Sequence, residues 1–405
     1  MDKLNEDILR KLIANCTVPI VLRGFVKSWP QSQWDIHKWC SIFGEREIPF
    51  RCMRKNFFSD EPCWERKCVV KNMTFKNFVD NLPNEQWMYF DYKYIHQWFN
   101  NDTELCKDFS WEMFGFSEKG AADTTLWAGS QGAHTPAHQD TYGVNIVAQL
   151  LGKKRWILFP AETGGMQPTR VPYEESSVYS QLNFYCPINL EKFKGLGGCR
   201  MVELSAGDAL LVPRGWWHYV QNTDPVNITF NIWLPHEKDC TAQVSEALIK
   251  ILVAQICKDL PQETAHLIVN PNEDDLSDTP LTVLFLQLET VAKAYLDKKR
   301  KARRIKRQRT REGDEEASAD EQQVNVDALL ANKDNNMEIA KSISSEELIA
   351  VIKENIEMFV TRTETDEDES DCATSNLGLT KAVIDAFSQS NVIDVMKQNL
   401  FLQLS

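Results

Sequence analysis

Three things are scarce in this chain of 405 residues. The first is any apolar run of roughly 18 to 20 residues, the length a membrane helix needs. Met1 to Cys16 instead carry charge on a helical pattern and lack the apolar core of a signal peptide. Those absences set the expectation of a protein of the cytoplasm or nucleus with no membrane partner. The second is ordered cysteine spacing. Eleven cysteines scatter from Cys16 to Cys372, an odd number with no Cys-x-x-Cys pair, which excludes a disulfide framework or a thiolate zinc site and leaves reduced, mostly buried thiols. The third is positive charge: 45 basic against 58 acidic residues give a net charge of −13, unlike a protein that binds nucleic acid through bulk charge.

A further scarcity is regional. No tryptophan follows Trp233, one tyrosine follows Tyr219, and two glycines follow Gly215. The residues that build β-rich cores and tight turns therefore end near residue 235, where Lys, Glu, Ala and Leu take over. That change marks a domain boundary.

Before it, apolar residues at Leu4, Ile8, Leu9, Leu12 and Ile13 give a helical stripe, Val18 to Val26 reads as a strand, and Thr74 caps a helix carrying Phe75, Phe78, Val79 and Leu82. Residues 123–235 read as short β runs at intervals of ten residues or so: Thr124 to Gly129, Tyr142 to Leu150, Lys154 to Phe159, Met201 to Leu204, Ala209 to Pro213, His218 to Gln221 and Asn227 to Trp233. Gly152, Gly207-Asp208 and Asp224-Pro225 supply turns between them, the pattern of a sandwich or barrel. Beyond residue 240 come helices: Val244 to Ile256, Leu281 to Tyr295, and Leu348 to Val360 behind a Ser344/Glu347 capping box. Lys298 to Arg311 holds ten basic residues in fourteen, followed by Glu312 and Asp314 to Glu316, and Thr363 to Asp371 is acidic; both read as mobile linkers.

The informative motif is His134-Thr-Pro-Ala-His138-Gln-Asp140. On a strand, His138 and Asp140 share a face, and His218, after Trp216-Trp217, opens a later strand. Two imidazoles and a carboxylate leave three positions of an octahedral ion open, which suits Fe(II) taking a chelating co-substrate and O₂ together and argues against closed structural zinc. Set against this, a His-x-Asp pair alone is as compatible with a polar surface turn. Two polar residues inside apolar strands add context. Asn145 leads one strand; Lys154 shares a face with Trp156 and Leu158. An inward Lys154 needs an anion such as a co-substrate carboxylate, whereas at a strand entrance it reaches water. His134, before Thr135-Pro136, reads as a loop residue beside the site, and His37, His96, His236 and His266 have no partner pattern. The tryptophans read as core, with Trp216 as a wall next to His218.

In order along the chain, Thr17-Val-Pro-Ile-Val-Leu-Arg-Gly24, Trp29-Pro30, Thr135-Pro-Ala-His138-Gln-Asp140, Gly152-Lys-Lys154-Arg-Trp, Gly207-Asp-Ala-Leu-Leu-Val-Pro213, Trp216-Trp-His218 and Asn231-Ile-Trp233 resemble the JmjC-domain 2-oxoglutarate oxygenases, over roughly residues 15–260. Within that family the likeness is to the small hydroxylase branch. Trp127-Ala-Gly-Ser130 and Pro168 to Val178 resemble a member associated with a small heat-shock protein. The resemblance implies a mainly β protein with α additions: a double-stranded β-helix barrel of the jelly-roll, cupin-like kind, with an N-terminal α/β extension and C-terminal helices. It implies Fe(II), with His138, Asp140 and His218 as ligands, and 2-oxoglutarate and O₂ as co-substrates. Lys154 and Thr135 match residues that hold the distal carboxylate of 2-oxoglutarate, Asn145 and Asn231 match polar residues near its chelating end, and Tyr89 matches a capping tyrosine for which Tyr92 and Tyr94 compete.

The expected organisation is residues 1–122 as an N-terminal region packed on the barrel, 123–235 as the barrel, 236–297 as helices on that core, 298–336 as a charged flexible linker, and 337–405 as C-terminal helices with an acidic loop. The expected function is hydroxylation of a protein side chain, with a small heat-shock protein as partner. RNA hydroxylation and a non-catalytic adaptor role stand as alternatives. The basic run reads as a solvated helix end, a trafficking or polyanion-binding segment, or an RNA contact; the first two are favoured because no aromatic interrupts it to stack on bases. A substrate groove is expected around Tyr173 to Tyr185, and the C-terminal helices are expected to pair two copies into a homodimer.

Overall fold

A computed structural model describes residues 4–82, 85–100, 103–107, 109–169, 177–261, 265, 268–269, 279–312, 324–360 and 377–404. They form two bodies, one comprising Met1–Gln167, Ser180–His236 and Val324–Thr363, the other Pro168–Tyr179, Glu237–Gln323 and Glu364–Ser405. His266, Cys372, Asp314 to Glu316, Thr363 to Asp371 and the Tyr173 end of the expected groove lie outside the described residues.

The first body holds the β-structure. Its larger sheet has nine strands, in the order Met337–Ile339, Ile20–Leu22, Ala209–Val212, Val144–Leu151, Val226–Leu234, Thr125–Ser130, Gln86–Tyr94, Glu47–Arg54 and Val69–Thr74. Within this body the strands of the facing sheet run His134–Asp140, Trp217–Asn222, Lys153–Phe159, Arg200–Ser205 and Lys341–Ser342. From Thr125 to Leu234 the strands divide between the two sheets in a jelly roll, and the central strands are buried on both faces. Small residues allow close approach. The left-handed Gly152 (φ 69°) turns between Val144–Leu151 and Lys153–Phe159, where a Cβ would stand 2.2 Å from the Val226 carbonyl. At Gly129, a Cβ would meet the Tyr89 ring at 2.7 Å and the Met88 carbonyl at 2.8 Å.

The N-terminal region extends the larger sheet: Gln86–Tyr94 pairs with Thr125–Ser130, then Glu47–Arg54 and Val69–Thr74 follow outward. Helix Glu6–Asn15 buries Leu9, Leu12 and Ile13, and helix Phe75–Asp80 starts where Thr74 accepts from the Asn77 N–H. The Val18 to Val26 strand is shorter than expected, Ile20–Leu22, because the chain turns from Arg23 onward.

The largest departure from the sequence reading follows residue 312. The C-terminal segment does not stay helical and accessory. Met337–Ile339 pairs with Ile20–Leu22, and Lys341–Ser342 with Arg200–Ser205. Helix Ser345–Phe359, with the Ser344/Glu347 capping box, then hydrogen-bonds Asn355 to Gln221 and stacks Phe359 on Tyr185. Strands of two and three residues are too short to show a period-two pattern.

The second body is mainly helical, with the short strand Ser177–Tyr179. Helix Asp239–Cys257 is, among the described residues, the one long and apolar enough to cross a membrane by length and composition. It nevertheless carries buried Glu246 and Lys250 and packs Val244, Leu248, Ile249 and Val253 against its neighbours. Helix Leu281–Glu312 runs through the basic segment, so the first part of the expected linker is helix.

Gly129→Ala should lower the thermal midpoint, by the equivalent of about 1 to 3 kcal/mol for overpacking. Gly164→Ala, where nothing lies within 4 Å of the added Cβ, should leave it unchanged; differential scanning calorimetry of both checks the close approach.

Candidate metal centre

Strands His134–Asp140 and Trp217–Asn222 are antiparallel neighbours, and His138 stands directly opposite His218. Between the pairs His218/His138 and Val220/Thr135 the register shifts: two residues pass on one strand and three on the other. The shift is a β-bulge at Pro136-Ala137, where a proline that cannot donate to the ladder is tolerated. The extra residue resets side-chain parity, so Thr135 comes to the same side of the strand as His138 and Asp140. His134 turns away. Its ring stacks on Tyr185 at 4.4 Å, its Nδ1 lies 2.9 Å from the Gly132 carbonyl, and burial holds its pKa at about 3. His134 therefore lies in a strand and packs as a neutral core residue, in place of the loop expected there.

The ligand-type atoms of His138, Asp140 and His218 all lie within 4.8 Å of one another, and all three residues are buried, unlike a dyad on a surface turn. His138 Nε2 is 3.7 Å from Asp140 Oδ1, and His218 Nε2 is 3.8 Å from Asp140 Oδ2. Both imidazoles have Nδ1 at 2.9 Å from a carbonyl, Pro136 for His138 and Trp216 for His218. A carbonyl only accepts, so Nδ1 carries the proton and Nε2 keeps its lone pair toward the centre. Burial, with His218 beside it, lowers His138 to about 4 against the pull of Asp140, which keeps that imidazole in the neutral form a metal requires.

The carboxylate is oriented by a hydrogen-bond chain. Trp233 Nε1 donates to Asp140 Oδ2 at 2.8 Å, and Asn145 Nδ2 donates to the same oxygen at 3.2 Å. Asn145 Oδ1 accepts from Asn231 Nδ2 at 3.0 Å, and Asn231 Oδ1 accepts from Trp127 Nε1 at 2.8 Å. An indole N–H only donates, so each amide has a single orientation. Asn145 and Asn231 are thus engaged in fixing Asp140. Trp127 and Trp233 stand in motifs that resemble the family, but their role as donors is not legible there, because the alignment of their N–H groups comes from sheet pairing. Trp156, whose ring stacks on His218 at 5.7 Å, is the wall beside that imidazole; the Trp216 indole instead bonds the Thr17 carbonyl.

Toward the other end of the same strands lies a buried cation. Lys154 is 2% exposed and its Nζ donates to the Tyr89 hydroxyl at 3.2 Å. The ammonium stands 5.5 Å from the Tyr89 ring centre and 5.7 Å from that of Trp127. The Tyr89 hydroxyl also bonds Thr135. Of the three candidate tyrosines, Tyr89 is the one beside Lys154, while Tyr92 is 50% exposed. Burial lowers Lys154 to about 7, opposed by Asp91. That carboxylate is already taken by Arg51, whose Nη2 lies 2.6 Å from Asp91 Oδ2. Sequence patterning missed the Arg51–Asp91 pair, which joins strands far apart in the chain. Leu158 faces His218 across the ladder and Lys154 faces Asn222, so four residues, a rise of about 13 Å, separate the two ends of the site.

Trp233→Phe should keep the fold and remove one donor from Asp140. Divalent-metal affinity, measured by anaerobic titration, is expected to fall about 10- to 100-fold.

Residues 6–240 match the cupin-like domain family. The chain is 36% identical over 309 residues to the HSPB1-associated protein 1 homolog of Danio rerio, covering 72% of this chain and 68% of the relative. It is 34% identical over 333 residues to HSPB1-associated protein 1 of Homo sapiens, covering 78% and 67%. A more distant likeness, 25% identity over 224 residues covering 53% and 47%, is to lysine-specific demethylase 8 of Xenopus tropicalis. With its jelly roll, its buried His-Asp-His cluster and these relatives, the chain belongs to the cupin-like JmjC-domain family.

Proposed function

We propose that this protein is an Fe(II)- and 2-oxoglutarate-dependent oxygenase that hydroxylates a protein side chain. The observation that carries the reading is a buried lysine with no carboxylate at ion-pair distance among the described residues, in the barrel that also holds two histidines and a carboxylate around one point. A cation buried without an anion is costly. A dicarboxylate that reaches from the metal ligands to Lys154 removes that cost, and a five-carbon diacid with the lysine side chain suits the rise between the two ends.

The residues present fit such a group. His138 and His218 offer Nε2, Asp140 offers the oxygen not held by Trp233 and Asn145, and Lys154, Tyr89 and Thr135 offer donors for a distal carboxylate. Trp156 adds a buried indole N–H without an acceptor among the described residues. When bound, Fe(II) with 2-oxoglutarate and O₂ supplies oxygen insertion into a C–H bond coupled to decarboxylation of the co-substrate. The chain's own part is to hold the ligands in one tautomer, fix the carboxylate, neutralise the distal charge and keep water out. Many members of the resembled family that demethylate histone lysines carry Glu where this chain has Asp140, and that difference supports hydroxylation. The names of the relatives, HSPB1-associated protein 1, support a small heat-shock protein as partner. A complete set of ligands with Lys154 counts against a purely non-catalytic adaptor. Exposed Leu379, Phe387, Val395 and Leu402 on the C-terminal helices support pairing of two copies.

Purified protein should convert 2-oxoglutarate to succinate in the presence of Fe(II), and His138→Ala should lose both metal retention and turnover. If Fe(II) does not bind anaerobically, the oxygenase reading fails. Because Lys154 sits near 7 when no anion faces it, binding the dianion should raise its pKa and take up a proton. Affinity for 2-oxoglutarate should therefore weaken as pH rises through 7, and calorimetry in buffers of different ionisation enthalpy should register net proton uptake near neutrality.

A further inference from the structure

On the outer part of the larger sheet, away from the metal ligands, two cysteines face one another. In Cys63-Trp-Glu-Arg-Lys-Cys68 a short 3₁₀ turn, Glu65–Lys67, closes with the Cys68 N–H donating to the Glu65 carbonyl. It brings the two Sγ atoms to 3.7 Å. Arg51 Nη1 donates to Cys68 Sγ at 3.8 Å, and a protonated Cys68 donates to the Trp64 carbonyl at 3.6 Å. Cys63 is 1% exposed, whereas Cys68 is half-buried and reachable from solvent.

The pair differs from the other cysteines in the way its proton is held. Burial pushes Cys186 and Cys199 up to about 12, and Cys52 and Cys257 to about 11. Cys68 moves down: the Cys63 thiol donates to it and Arg51 lies beside it, which outweighs burial and the opposing field of Asp91. Cys63 moves up for the same reason, as the donor of that hydrogen bond. A half-buried thiol beside a guanidinium, with its pKa drawn down and a second thiol in reach, has the arrangement of a peroxide-reactive cysteine with its resolving partner.

We propose that Cys63 and Cys68 form an oxidation site for hydrogen peroxide or small organic hydroperoxides, with Cys68 as the attacking sulfur and Cys63 as the resolving one. Cys68 sulfur attacks one peroxide oxygen; the O–O bond breaks, the departing oxygen takes a proton and leaves as water or alcohol, and Cys68 becomes a sulfenic acid. Its sulfur is oxidised by two electrons and the peroxide is reduced. Cys63 sulfur then attacks Cys68 sulfur, the S–O bond breaks, and hydroxide leaves as water with the Cys63 proton. Two thiols and one peroxide become a disulfide and two waters, or one water and one alcohol. The sulfurs need only close from 3.7 Å to about 2.05 Å. Disulfide formation takes Cys68 away as a partner of Arg51, which also bonds Asp91 and lies 5.9 Å from the Tyr89 ring centre.

The test uses the full chain, treated with hydrogen peroxide and mapped as peptides without reduction. The expected result is loss of two hydrogens across a Cys63–Cys68 linkage before any other cysteine is oxidised. Cys63→Ser should stop at a sulfenic acid on Cys68 that dimedone captures, and Cys68→Ser should leave Cys63 reduced. In the untreated wild-type protein Cys68 should be alkylated at pH 7 at least about tenfold faster than Cys186; this keeps the proposal testable if a variant fails to fold. The proposal is overturned if Cys63 and Cys68 stay reduced while other cysteines oxidise, if dimedone labels only other sites in Cys63→Ser, or if Cys68 is alkylated no faster than Cys186. None of these readouts depends on iron or on turnover of 2-oxoglutarate.

Discussion

The cross-strand pairing of His138 with His218 is the constraint on which the candidate metal centre depends. Two adjacent strands bring the imidazoles together, with ring centres 4.1 Å apart, and each ring is tied by Nδ1 to the backbone carbonyl two residues before it. One backbone feature, the bulge at Pro136-Ala137, decides what else shares that face. Without the added residue Thr135 would point away from the ligands and His134 toward them. The bulge thus selects which of two nearby histidines joins the cluster and which becomes packing for Tyr185.

The barrel buries two cations in opposite ways. Arg51 is paired at once with Asp91 across strands Glu47–Arg54 and Gln86–Tyr94. Lys154, on strand Lys153–Phe159 of the facing sheet, receives a tyrosine hydroxyl and two aromatic faces but no carboxylate at ion-pair distance among the described residues. Aromatic faces offset only part of the desolvation of an ammonium. The contrast explains why the guanidinium stays charged while the lysine drifts toward neutrality, and it makes Lys154 the group that gains most from an anionic ligand.

The oriented carboxylate illustrates how much of the site lies outside the ligands themselves. Asp140 is held through Asn145, Asn231, Trp127 and Trp233, residues drawn from strands that meet only in the folded sheet. Such outer partners fix ligand geometry and tune affinity. The same sheet continues through Gln86–Tyr94 to Glu47–Arg54, so Tyr89 beside Lys154 and the Arg51–Asp91 pair near it come from the N-terminal region, and that region completes the site as well as covering the barrel.

The sequence alone determined a sandwich or barrel of short strands, most strand positions between residues 124 and 233, and the capped helices at Thr74 and Ser344, because these are encoded in short-range spacing, turn residues and hydrophobic period; the jelly-roll class and the full set of candidate ligands followed from its ordered motifs through their resemblance to the JmjC-domain family. It also singled out Lys154 as a charge in an apolar strand. Tertiary structure decided the rest. The parity change at Pro136-Ala137 arises from pairing with a strand some eighty residues away, Tyr89 is distinguished from Tyr92 and Tyr94 by which ring reaches Lys154, and the return of residues 324–360 to the sheets rests on strands too short to carry a pattern. In each case the determining partner is distant in the chain, and only folding brings it within hydrogen-bond range.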